Sequence, residues 1–107
     1  MAKRPTSTFA AQRASAVLLI PLALWFLWSI AAHAGDDLAG AQAWLGHLHN
    51  KLLFGAFVAV GAFHGRIGLH EIIEDYIHGP LNATLNALAI AAAAAITLLT
   101  WASLFQI

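Results

Sequence analysis

Residues 14–35 read ASAVLLIPLALWFLWSIAAHAG, and no Asp, Glu, Lys or Arg interrupts them. About 20 mainly apolar helical residues cross the roughly 30 Å hydrocarbon core of a bilayer, so this stretch alone has the length of a span. Pro21 lies inside it; in lipid a proline is accommodated within a helix and commonly bends it. Lys3, Arg4 and Arg13 ahead of the run, and AHAG at 32–35, give it some features of a signal peptide. The run is longer than the roughly 7–15 apolar residues of such a segment, which favours a retained anchor.

The whole chain agrees with this reading. Of 107 residues 61% are hydrophobic and 9% charged, with a mean hydropathy of +0.76, whereas a soluble domain carries roughly 25% charged residues. So few charges cannot cover a water-facing surface, and lipid is the natural solvent for most of the chain. The length suggests a single domain, 1–107. Five basic and five acidic residues balance, which argues against nucleic acid as a partner. The absence of cysteine excludes disulfides and cysteine-ligated zinc or iron–sulfur sites within the chain. Six histidines against one tyrosine leave histidine as the metal-ligand type in surplus.

Two further spans follow. After Lys51 the run LLFGAFVAVGAF continues into HGRIGLHEIIEDY. Hydropathy alone ends this helix near Gly65, too short to cross, so it is read as continuing over about 48–73 with its polar residues facing protein or cofactor. The third run, 81–105, is uncharged, and its AIAAAAAI stretch permits close approach of another helix. Pro80 fits a helix start, with Asn82 or Thr84 available to the first turn. Residues 35–50 suit a short amphipathic interfacial helix anchored by Trp44, and EDYIHGP at 74–80 a tight turn. The expectation is an all-α membrane protein with spans at about 14–34, 48–73 and 81–105. The basic N-terminal segment places the N-terminus in the cytoplasm, the Asp36-Asp37 loop outside, and the EDY turn in the cytoplasm.

Ionisable groups within spans are costly and usually functional, and the second span holds His64, Arg66, His70 and Glu71. His64 follows a wholly apolar stretch. Gly61 and Gly68, at i−3 and i+4, share its helical face and would leave a flat shelf beside the imidazole, as a planar macrocycle requires. Two readings compete: an axial haem ligand, or a histidine hydrogen-bonded to a neighbouring helix with glycines that serve packing. If it is a haem ligand, the second ligand must come from another subunit, because no other histidine of the chain is placed to oppose it. Tyr76 can donate to a quinone carbonyl, and Asp75 can accept or relay protons; the bland alternatives are an aromatic-belt anchor and a solvated carboxylate. From His64 to Tyr76 is about 18 Å along a helix, within reach of electron exchange. Arg66 and His70 could meet haem propionates or quinone; equally, Arg66 could pair with Glu71 or a partner chain, or snorkel to the interface.

The string HGRIGLHEIIEDYIHGP, 64–80, resembles the second-helix motif H-x-x-x-G-x-x-x-(I/V)-(I/V)-x-D-Y of the smaller hydrophobic anchor subunit of succinate dehydrogenase (complex II). His64, Gly68, Ile72, Ile73, Asp75 and Tyr76 meet it. Arg13-Ala14-Ser15-Ala16 resembles the Arg-x-(Ser/Thr)-Ala that opens the family's first helix, and IIEDY the alphaproteobacterial, mitochondrial-like branch. Gly65, His70 and Glu71 stand where the resemblance leads one to expect bulkier or less charged residues. The resemblance covers effectively the whole chain. It implies a helical bundle formed with a larger cytochrome b anchor subunit in the bacterial inner membrane. It implies that His64 is one axial ligand of a haem b whose other histidine comes from that subunit. It implies that Tyr76 bonds ubiquinone with support from Asp75, and that Arg13 and Ser15 lie near haem and quinone. An iron–sulfur subunit and a flavoprotein would complete the complex, and the chain alone would not be catalytic. A fumarate reductase anchor fits the same residues. A small multidrug transporter has four spans and an acid in the first, unlike this chain, and a cofactor-free structural subunit is the other alternative.

Overall fold

The computed structural model describes residues 5–107, with side chains from Ser7 onward. Lys3 and Arg4, on which the orientation reading partly rests, lie outside the described residues. Four helices follow one another: α1 (Pro5–His33), α2 (Leu38–Gly46), α3 (Leu48–Tyr76) and α4 (Pro80–Leu104). All but α2 are long and apolar enough to cross a membrane, over Ser7–His33, Leu48–Tyr76 and Pro80–Leu104. The helical fold with three spans is therefore as expected from hydropathy, with shifted ends. α1 begins well before residue 14 and runs without a break through Pro21.

The second span is where hydropathy and structure diverge most. α3 reaches Tyr76, so Glu74, Asp75 and Tyr76 belong to the helix and only Ile77–Gly79 make the turn. Gly79 takes φ 76, a left-handed conformation that glycine adopts without steric cost, and Pro80 then starts α4. Asn82 and Thr84 do not cap that helix through its free amides: they donate to the carbonyls of Ile77 at 2.9 Å and Pro80 at 3.1 Å. The short helix between spans one and two is present as α2, capped by Asp37, whose Oδ1 accepts from Gly40 N at 2.9 Å. Trp44 packs back on α1, stacking on Trp25 with ring centroids 5.7 Å apart and tilting against His33 at 5.4 Å.

α1 and α4 each pack along α3 and scarcely on one another, and α2 rests on the start of α3. α3 is thus the central element of a body extending 51 × 24 × 21 Å. Phe26 of α1 lies between Phe54 and Phe57 of α3, with centroids at 5.7 and 4.8 Å. Little else is enclosed: among the described residues Ile67, Ile73 and Leu104 are the buried hydrophobic ones, while Trp28 is 75% exposed. Three single-layer helices leave most of their apolar surface for lipid or for another protein.

Candidate functional site

His64 sits 16 residues into α3, roughly 24 Å from Leu48 along the axis. The preceding turns are apolar, which places the imidazole within the span. Its Nδ1 lies 2.8 Å from Ser15 Oγ on α1, and Ser15 also donates to the Gln12 carbonyl one turn earlier, at 3.0 Å. Ser15 is 3% exposed, and His64 is half-buried. The opposite ring nitrogen, Nε2, has no hydrogen-bond partner among the described residues and is not among the buried polar atoms left unpaired.

The glycines beside His64 serve a different purpose from the expected shelf. A Cβ on Gly61 would stand 3.9 Å from Leu19 Cδ2, and one on Gly68 3.6 Å from Gln12 Nε2. Both glycines are covered by α1. Gln12 opposes Gly68, Ser15 opposes His64 and Leu19 opposes Gly61, a steady antiparallel register in which the missing side chains bring α1 close to α3. The open position is Gly65, whose Cβ would meet nothing within 4 Å. Next to Ser15 a groove of about 300 Å³ opens between α1 and α3, walled by apolar residues including Leu18, Ala59, Val60 and Phe63. A second, of about 350 Å³, runs between α3 and α4 past Ala59, Phe63 and Arg66. Both share Ala59 and Phe63, so one face of α3 is flanked by clefts on either side.

Of the residues singled out from sequence, the structure joins Ser15 to His64 but not Arg13, whose guanidinium lies over the Phe9 ring at 4.7 Å. Arg66 reaches back over Phe63 at 5.8 Å. Asp75 and Tyr76 stand exposed at the end of α3, Tyr76 at 77%, separated from His64 by the length of helix between them. His70 faces α4, where its Nδ1 lies 2.9 Å from Asn86 Oδ1. Asn86 Nδ2 donates to Asn82 Oδ1 at 3.0 Å and reaches Glu74 Oε2 at 3.5 Å. Sequence reasoning passed over Asn86 and Gln12. The available signal was polar amides recurring at helical spacing in otherwise apolar runs, Asn82 and Asn86 on one and Gln12 one turn before Ser15 on the other. The remaining histidines are elsewhere: His33 pairs with Asp36 at 2.8 Å, His47 stacks on His49 at 5.7 Å, and His78 lies in the turn between α3 and α4. Among the described residues no group of three or more His, Asp or Glu side chains is placed to hold a metal ion.

The family of succinate dehydrogenase/fumarate reductase transmembrane subunits matches residues 1–104 of the chain. No curated protein matches it.

Proposed function

The chain belongs to the family of succinate dehydrogenase/fumarate reductase transmembrane subunits, and on that premise we propose that it is the smaller anchor of a bacterial succinate:ubiquinone oxidoreductase. His64 is an axial ligand of a haem b shared with the larger anchor subunit, and Tyr76 with Asp75 contributes to the ubiquinone site. The observation that carries this reading is the state of His64: an imidazole at bilayer depth, tethered through Nδ1 with Nε2 clear.

That state suits an axial ligand. Ligating histidines donate their other N–H to a fixed acceptor, and Ser15 supplies one. A haem bound there is a one-electron carrier within the bilayer. The chain brings a single suitably placed imidazole, so the second ligand belongs to the larger subunit. The face of α3 flanked by the two grooves supplies apolar walls for such a neighbour. Ser15 is part of this site through His64; Arg13, on the outer side of α1, can reach only groups brought by a neighbour.

Tyr76 is exposed beside Asp75 at the helix end, where a phenol can donate to a quinone carbonyl and a carboxylate can pass on the protons that quinone reduction consumes. With the N-terminus cytoplasmic, this end faces the side on which the iron–sulfur subunit and flavoprotein dock. The chain fastens those subunits to the membrane and completes the quinone pocket; it does not itself oxidise succinate.

The test is a reduced-minus-oxidised visible spectrum of the complex purified through a tag on this chain, wild type beside His64→Ala. A b-type signal that is lost or shifted in the variant supports ligation. A flavoprotein complex with no haem in the wild type keeps the anchor and removes the haem. Absence of both redox partners and haem rejects the respiratory reading.

A further inference from the structure

We infer that Ser15 is the positioning residue of His64: the relay from the Gln12 carbonyl through Ser15 Oγ to His64 Nδ1 fixes the imidazole as the Nδ1–H tautomer, with Nε2 bare for the metal. This deepens the haem reading above and rests on it.

A serine hydroxyl has one proton and two acceptor lone pairs. Ser15 gives its proton to the Gln12 carbonyl at 3.0 Å, the back-bond that serines commonly form within helices. Toward His64, at 2.8 Å, both contacts are hydrogen bonds at once only when the oxygen accepts there, and Nδ1 is then the nitrogen that carries hydrogen. In a neutral ring the lone pair then belongs to Nε2. The same contact holds the ring plane, which is otherwise free to turn about its last torsion.

The relay spans two helices, so it exists only when α1 is seated. Gly68 opposite Gln12 and Gly61 opposite Leu19 allow that seating, and burial of Ser15 to 3% exposure keeps lipid and water from competing for its oxygen. A hydrogen bond accepted from Nδ1–H also raises the basicity of the ligand, and removing such an outer partner typically weakens metal binding about 10–100-fold. A more basic imidazole favours the ferric state, so losing the bond raises the haem midpoint potential. A tenfold weakening confined to the ferric state corresponds to about 59 mV for one electron.

The experiment uses the assembled complex from membranes carrying wild type, Ser15→Ala, Ser15→Cys or Ser15→Thr. Haem-to-flavin ratio, haem midpoint potential and the low-spin ferric electron paramagnetic resonance spectrum are read. Expected are a raised potential, an altered spectrum and lower haem retention in Ser15→Ala and Ser15→Cys, with Ser15→Thr returning all three toward wild type because it keeps the oxygen. Should Ser15→Ala fail to assemble, the near-isosteric Ser15→Cys, a weak acceptor, gives the reading. Wild-type potential and spectrum in that variant overturn the inference, and so does a Ser15→Thr complex that behaves like Ser15→Cys. A wild-type complex with haem whose spectrum ignores His64→Ala rejects the ligand assignment itself, a failure separate from that of the relay.

Discussion

Trp101 of α4 lays its indole on the backbone of Gly55 of α3 and donates Nε1–H to the Gly55 carbonyl at 3.2 Å. A Cβ on Gly55 would stand 2.5 Å from Cζ2 and 2.6 Å from Cε2 of that ring, and Gly55 is buried. Gly55→Val should therefore separate α3 from α4 and destabilise the chain by about 1–3 kcal/mol. Unfolding of the detergent-solubilised protein in a denaturant series measures this. Trp101→Phe, which removes only the donor, should lose about 1 kcal/mol; a Gly55→Val protein as stable as wild type contradicts the contact.

Gly61 and Gly68 tolerate less than full replacement. The space opposite Leu19 and Gln12 admits a methyl at ordinary contact distance, so alanine at either should leave stability and haem content near wild type. Leucine at Gly68 should force α1 outward and reduce bound haem several-fold, because Ser15 moves away from His64. Absorbance of the reduced complex per flavin reads both; full haem in Gly68→Leu shows that seating of α1 is not required.

His70, Asn86 and Glu74 form a polar contact between α3 and α4 inside a span. Interhelical hydrogen bonds in membrane proteins average about 0.6 kcal/mol, with a maximum near about 1.7 kcal/mol. A double-mutant cycle of His70→Phe and Asn86→Leu should return a coupling in that range. Additive effects of the two substitutions would mean that the pair contributes no interaction of its own.

Tyr76→Phe removes one hydroxyl from an exposed position. Loss of a hydrogen bond of about 1 kcal/mol corresponds to about a fivefold fall in succinate–ubiquinone reductase activity. Succinate oxidation by an artificial dye that accepts electrons from the soluble subunits should be unchanged. Equal loss in both assays places the defect in assembly, not at the quinone.

The chain contains no cysteine, so single introduced thiols report topology without background. Ser7→Cys and His78→Cys should react with an impermeant maleimide only in inverted vesicles, and Asp37→Cys only in right-side-out ones. The reverse pattern would place Tyr76 outside and remove the quinone assignment.

Apolar length marked the first and third spans directly, because in lipid a span must satisfy its backbone internally, whereas the second needed its helix continued past Gly65 through polar residues to be long enough. The motif from His64 to Tyr76 was legible for a similar reason: ionisable and phenolic side chains stand out against an apolar run. What each of those side chains touches was not legible. The glycines around His64 read equally well as a shelf for a macrocycle or as a seat for a helix, and only the register of α1 against α3, with Gln12, Ser15 and Leu19 opposite Gly68, His64 and Gly61, decided for the seat. The end of α3 was misplaced by hydropathy, since Glu74 and Asp75 look like a loop although the helix carries them to Tyr76. Arg13 and Ser15 are two residues apart in one motif, yet the helical turn sends one over Phe9 and the other to His64. Spacing within a helix is written in the sequence, whereas partners on another helix, 49 positions away for Ser15 and His64, depend on how two helices dock, and that is set by the summed packing of their whole faces.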